Sequence, residues 1–357
     1  MLDAWTAQLQ RAEPLTATQI SAAVTQLTTE AVPVETKAEF LTALARKGET
    51  LEEIAAFAAA LLERSVRVPL DAATRAREIL DVCGTGGDHL GTFNISTTVA
   101  LVCAAAGVTV AKHGNRAVTS KTGSADVLES LGIRIDLTPE EAAAALRDHG
   151  FAFFFAPNYH PAFKHIIPIR KLCASRGQRT IFNFLGPLLN PARPTAQLLG
   201  VPKPELCKPL AQALQSLGLR RAMVVSGAVP DPAAPTHDPE LGVRSLDEIS
   251  TLGPSTVAEF YQARALAISQ LHPETFPLQP VAFADLSGGD RDANAEIIRQ
   301  ILRGRDRGPR ADAVKLNAGA ALFVAGRVRS ISEGWELTDT LIHDGRAWAK
   351  LEQLRSK

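Results

Sequence analysis

The sequence is short of everything that builds a disulfide framework, a zinc site or a membrane anchor. Its four cysteines, Cys83, Cys103, Cys173 and Cys207, lie far apart and form no CxxC pair. That spacing excludes a stapled small domain and points to reduced thiols, mostly buried. Net charge is lacking as well: 38 Lys and Arg offset 38 Asp and Glu, so no bulk attraction draws the chain to nucleic acid or an anionic membrane. The longest apolar stretch, Val99 to Ala111, is broken by Gly107 and Thr109 and is too short to cross a bilayer. The opening MLDAWTAQLQR has an early acid and no apolar run, so no signal peptide is expected. What is present is a globular mixture, 46% hydrophobic and 21% charged, over 357 residues, a length that suits two domains.

The first 70 or so residues read as helices alone. Thr16 with Gln19, and Thr50 with Glu53, have capping-box spacing ahead of amphipathic runs, and Ala38–Lys47 keeps helical spacing until Gly48. Beyond that, short apolar strands (Ile79–Cys83, Val108–Ala111, Phe151–Phe155, Leu198–Val201, Ala222–Val225) alternate with helical segments. Thr138-Pro139-Glu140-Glu141 is a clear helix start. The pattern predicts an α/β fold: a small N-terminal helical domain, 1–72, and a larger domain, 73–357, with a mostly parallel central sheet. Part of 160–190 is expected to join the helical domain. Ala228–Ser245, rich in Pro and Asp, reads as a long surface loop.

Chemistry concentrates after the first strand. Gly84-Thr85-Gly86-Gly87-Asp88 lets backbone N–H groups approach an anion, and Asp88 suits a hydroxyl or a metal-bound water. A glycine turn by itself is more often a plain strand-to-helix connection. Thr92-Phe93-Asn94-Ile95-Ser96-Thr97 then opens a helix, and such a start offers N–H groups and hydroxyls to phosphate. Two anion-binding elements this close suggest a ligand with two phosphate groups. Lys112-His113-Gly114-Asn115-Arg116 follows the strand Val108–Ala111, where α/β sheets bind ligands. Lys112 suits a phosphate; Arg116 also reads as a surface ion-pair residue, and His113 as a structural histidine.

In that order, GTGGD, TFNIST, KHGNR and Gly123-Ser124-Ala125-Asp126 resemble the anthranilate phosphoribosyltransferases. The likeness continues through Phe155-Ala156-Pro157, His160-Pro161, Arg170, Arg179–Pro187, Asn190-Pro191, Leu246–Ser250, Gly288-Gly289-Asp290 and Leu316-Asn317-Ala318. The resemblance implies a cytoplasmic enzyme of tryptophan biosynthesis, usually a homodimer packed through the helical part. Its reaction joins anthranilate to phosphoribosyl pyrophosphate and releases pyrophosphate, with Mg²⁺ as cofactor. Matched residue by residue, it implies that Gly84, Gly87, Asp88, Thr92, Asn94, Ile95, Ser96 and Thr97 bind phosphoribosyl pyrophosphate. Lys112, His113, Gly114, Asn115, Arg116, Ser120 and Ser124 complete that set. Gly84, Asn115 and Arg170 would bind anthranilate, Arg170 through the carboxylate. Ser96, Asp247 and Glu248 would hold the metal, and no general base is assigned. Small-molecule substrates are the implied partners, with no nucleic acid and no membrane.

The chain departs from the family pattern twice. Ser226-Gly227 stands where the family has His-Gly, and 228–245 intervenes before Leu246-Asp247-Glu248; the insertion is expected to leave those carboxylates in register. Among rival readings, a pyrimidine nucleoside phosphorylase shares the fold and a glycine loop, but TFNIST, KHGNR and the Asp-Glu pair favour the transferase. A nucleic-acid-binding relative would show a basic surface and degraded phosphate motifs, and neither is seen.

Overall fold

The computed structural model describes residues 1–117, 121–230, 243–262 and 265–355. The chain opens with α1 (Leu2–Gln10), α2 (Ala17–Leu27), α3 (Val34–Lys47) and α4 (Leu51–Leu62). Capping sets their limits. The Thr16 hydroxyl accepts from the Gln19 N–H at 3.3 Å while the Gln19 side chain accepts from the Thr16 N–H at 2.8 Å. Thr50 and Glu53 repeat this at the start of α4. The α3 helix stops where Gly48 takes φ +85°, a left-handed value that glycine adopts without strain. Glu53 is fully buried, yet its carboxylate accepts from the Leu15 N–H, the Thr50 N–H and Lys47 Nζ, so the burial leaves no orphan charge.

After α5 (Ala72–Arg75), strands and helices alternate: β1 (Ile79–Gly84), α6 (Ile95–Ala105), β2 (Thr109–Gly114), α7 (Ser124–Leu131), α8 (Pro139–His149) and β3 (Phe151–Phe155). There follow α9 (Ala156–Tyr159), α10 (Ile166–Ser175), β4 (Ala196–Gly200), α11 (Cys207–Ser216), β5 (Arg221–Pro230), β6 (Val243–Leu246), β7 (Ser255–Tyr261) and β8 (Ala267–Leu271). The chain ends on α12 (Arg291–Leu302), α13 (Pro309–Val324), α14 (Ile331–His343) and α15 (Arg346–Leu354). From α10, Ile166, Ile169 and Cys173 share a core with Phe40, Leu41 and Leu44 of α3, so this late segment packs on the N-terminal helices.

One sheet organises the larger part, in the order β3-β2-β1-β4-β5-β7-β8, with β6 paired on β5. Its centre, β3 through β5, is parallel; β6, β7 and β8 add antiparallel pairings. The parallel strands are near-continuous apolar runs, as expected where helices cover both faces. From β1 the chain proceeds to β2 and β3 on one side, then returns to β4 on the other. Strand order thus reverses between β1 and β4, and the crevice at their carboxyl ends is where such sheets take ligands.

Two expectations need correction. Lys112, His113 and Gly114 do not follow the second strand but belong to it, because Phe153, Phe154 and Phe155 of β3 continue the ladder alongside them. Nor is 228–245 wholly loop: Ala228–Pro230 extend β5, and β6 returns antiparallel with Ala228 opposite Ser245. The ladder satisfies backbone groups that a surface loop would leave to water. Residues 231–242 of that segment lie outside the described residues. Among the described residues no helix is long and apolar enough to cross a membrane.

Candidate active site

Gly84 and Gly200 are register partners at the carboxyl ends of β1 and β4. Neither has room for a side chain, because Asp247 lies over both. A Cβ on Gly84 would sit 2.7 Å from Asp247 Oδ2, and one on Gly200 only 1.6 Å from the Asp247 carbonyl oxygen. Asp247 Oδ2 accepts from the Gly86 N–H at 2.7 Å, and the Asp247 N–H donates to Asp88 Oδ2 at 3.3 Å. Next to it, Glu248 Oε1 accepts from the Ser96 N–H at 3.1 Å, inside the first turn of α6, which has no side-chain cap. The insertion therefore leaves Asp247 and Glu248 over the glycine loop and the start of α6.

Three carboxylates share this crevice. Burial first, then the Asp88 and Glu248 charges, push the Asp247 carboxyl well above the usual carboxylate range. Burial also raises Glu248 to about 8, against the opposing pull of Lys112. A bound cation would relieve both effects. The described residues contain no cluster of three His, Cys, Asp or Glu that would cage a metal unaided. Mg²⁺ takes one or two carboxylates and completes its oxygen shell from water and substrate phosphate, and Asp247 and Glu248 would supply such a pair.

Lys112 is buried beneath the loop. Its Nζ donates to the Val82 carbonyl at 2.6 Å and approaches Ser96 Oγ at 3.4 Å. Burial lowers its pKa, while Asp81, Cys83 and Glu248 favour the charged form. Asp81 itself is pushed to about 6, mainly by burial, and is held by the Asn190 amide at 2.9 Å and the His113 N–H at 3.3 Å. His113 packs edge-on against His160, and burial lowers its pKa to about 3, so it stands as a neutral imidazole.

The remaining expected residues divide. Gly87 abuts Pro202; Ser124 Oγ lies so near Gly114 that a Cβ there would sit at 2.2 Å. Thr92 bridges Ser287. Asn94 stands at the N-cap position of α6, but its side chain is engaged elsewhere, accepting from Asn294 at 2.9 Å and donating to the Thr122 carbonyl at 3.3 Å. Ile95 faces the core; Thr97 is fully buried, its hydroxyl without a partner among the described residues. Asn115 is exposed, and its Oδ1 accepts from the Arg116 N–H. Arg116 is occupied by Asp126 and Glu129 at 2.9 and 2.6 Å. Arg170, on α10, has no hydrogen-bond or ion-pair partner among the described residues, and no bond joins it to Gly84 or Asn115. Ser120 lies outside the described residues.

Four residues given no role in the sequence reading frame this site: Asp81, Asn190, Asn294 and Asn317. All are buried. A lone asparagine in an apolar helix or beside a strand end was the available signal, since a buried amide must find partners.

A glycine loop, a helix start and paired carboxylates gathered at the strand-order reversal are the arrangement expected of an enzyme acting on phosphorylated sugars. The chain belongs to the glycosyl transferase family: residues 76–348 match its a/b domain and 5–65 its helical bundle domain. Within that family it falls among the anthranilate phosphoribosyltransferases. The one from Symbiobacterium thermophilum is 44% identical over 353 residues, 98% of this chain and 95% of the relative. The crystal structure of the Thermus thermophilus enzyme superposes with a TM-score of 0.85 at 38% identity, covering 99% of both chains. The Saccharomyces cerevisiae enzyme in complex with PRPP and Mg gives 0.83 at 28% identity, over 99% of this chain and 96% of the other.

Proposed function

We propose that this crevice transfers the phosphoribosyl group of phosphoribosyl pyrophosphate to the amine of anthranilate, with Asp247 and Glu248 as the magnesium carboxylates. The enzyme would act in the cytoplasm in tryptophan biosynthesis. The observation that supports the metal assignment is the convergence of Asp88, Asp247 and Glu248 on the Gly84–Asp88 loop and the start of α6.

In this reading the backbone N–H groups of the loop and of α6 bind phosphate oxygens, as helix starts do. Lys112 places a buried positive charge under them, held in position by the Val82 carbonyl. Magnesium, when bound, offsets negative charge on the departing pyrophosphate. The nucleophile is the neutral aromatic amine of anthranilate, with its own nitrogen lone pair, so the chain's task is alignment and charge stabilisation of an oxocarbenium-like transition state. The unpaired Arg170 guanidinium suits the anthranilate carboxylate, and the exposed Asn115 lies at the same strand end as Lys112. Pairing of two copies through the helical part belongs to this reading, with half-exposed Ile167 on α10 as a candidate contact.

The test is loss of anthranilate fluorescence with phosphoribosyl pyrophosphate, with and without Mg²⁺. Magnesium-dependent loss with stoichiometric pyrophosphate release is expected. No loss from protein that still binds phosphoribosyl pyrophosphate would remove anthranilate as the acceptor.

A further inference from the structure

Asn317 sits mid-way along α13, fully buried, between the apolar Leu316 and Ala318. A polar side chain there must bond or destabilise the fold. Its amide is completely used. Oδ1 accepts from the Ile249 N–H at 2.9 Å, and Nδ2 donates to the Ile249 carbonyl at 2.9 Å and the Ala313 carbonyl at 2.9 Å. Asn317 thus grips both backbone groups of a single residue, as a neighbouring strand would.

The residue gripped is one beyond Glu248 and two beyond Asp247. On the upstream side the same segment is tethered by β6, where Leu246 pairs with Gly227. The two carboxylates therefore span a gap between two backbone anchors, one in the sheet and one on α13. The helix that supplies the second anchor also packs against α6, whose Ser96 N–H receives Glu248. The same helix thus holds the segment that carries the carboxylates and packs on the helix they face.

We infer that Asn317 is a positioning residue for the magnesium carboxylates, fixing their register against α6 independently of the 231–242 segment. The inference rests on Asp247 and Glu248 holding the metal. A purely structural asparagine would lower stability when replaced; a positioning one also weakens the metal site beyond what lost stability accounts for.

The experiment compares Asn317→Ala with Leu322→Ala, a fully buried position five residues further along the same helix whose side chain makes no hydrogen bond. Two quantities are read: the Mg²⁺ concentration giving half-maximal rate, and Mn²⁺ affinity with phosphoribosyl pyrophosphate present, from the electron paramagnetic resonance of free Mn²⁺. For Asn317→Ala both should weaken by about tenfold, since a displacement near 1 Å at such a site is costly. Leu322→Ala should lower the melting temperature at least as much and move neither. Equal metal behaviour in the two variants would overturn the inference. Should Asn317→Ala not fold, Asn317→Asp keeps the shape and the acceptor but removes both donors, and the same readings decide. Unchanged Mn²⁺ affinity in Asp247→Ala/Glu248→Ala would instead overturn the metal assignment itself, which separates the two failures.

Discussion

In the N-terminal helices, the capping side chains bond to backbone three residues away: Thr16 with Gln19, Thr50 with Glu53. At the crevice they bond across the whole chain. Gly86 and Asp247 are 161 residues apart, Ser96 and Glu248 are 152 apart, and Asn94 and Asn294 are 200 apart. The first kind of bond sets where a helix begins and has little influence beyond it. The second assembles a site that exists only once the sheet, α6 and α13 are packed. Damage should therefore remain local and energetic in the helices, and become catalytic at the crevice.

The widest separation of the two regions comes from Asp247→Ala/Glu248→Ala. Magnesium-dependent turnover should fall by on the order of a thousandfold or more, the scale of losing transition-state charge stabilisation. Stability should hold or rise, since three carboxylates no longer crowd one buried space. Steady-state rates with a thermal melt check both halves; full activity in the double variant would end the assignment.

This contrast also explains what was legible beforehand. Capping boxes, strand runs and the order of glycine loop, helix start and cationic strand end are local patterns, so the two-part architecture and the phosphate-binding segments were readable. Asn94 shows where local reading reaches its limit: a helix start suited it to phosphate, yet a partner 200 residues away occupies its amide, whereas Arg116 pairs with Asp126 and Glu129 as its surface ion-pair reading expects. Lys112–Gly114 were placed past their strand because only pairing with Phe153–Phe155 reveals its length. The lone asparagine at 317 signals a buried amide in need of partners, but not that Ile249, 68 residues away, supplies them.

A smaller effect tests the packing beneath the crevice. Burial holds His113 and His160 neutral, with pKa values lowered to about 3 and about 4 from the ordinary 6.5. Because the unfolded chain takes up these protons first, their contribution is complete above pH 6.5 and is lost as pH falls toward 4 and then 3. His160 donates through Nε2 to the Leu189 carbonyl at 2.8 Å, in its neutral tautomer, and glutamine retains a donor there. Unfolding free energy of His160→Gln should thus decline less steeply from about pH 6.5 to about 4.5 than that of the parent, by up to about 1.4 kcal/mol per pH unit. Parallel pH profiles would mean that His160 titrates in the folded protein as it does in water.

The smallest effect belongs to the helical end. Thr50→Ala removes the hydroxyl that accepts from the Glu53 N–H at 3.2 Å. Loss of such a cap costs about 1 kcal/mol. Glu53 keeps its bonds to the Leu15 N–H and Lys47 Nζ, so the buried carboxylate stays paired and the loss should not grow beyond the cap. The melting temperature should fall by about 2 °C, while turnover and the Mg²⁺ requirement stay at parental values. A changed Mg²⁺ requirement would show that the helical part communicates with the crevice, through α10 packed on α3 as the physical route.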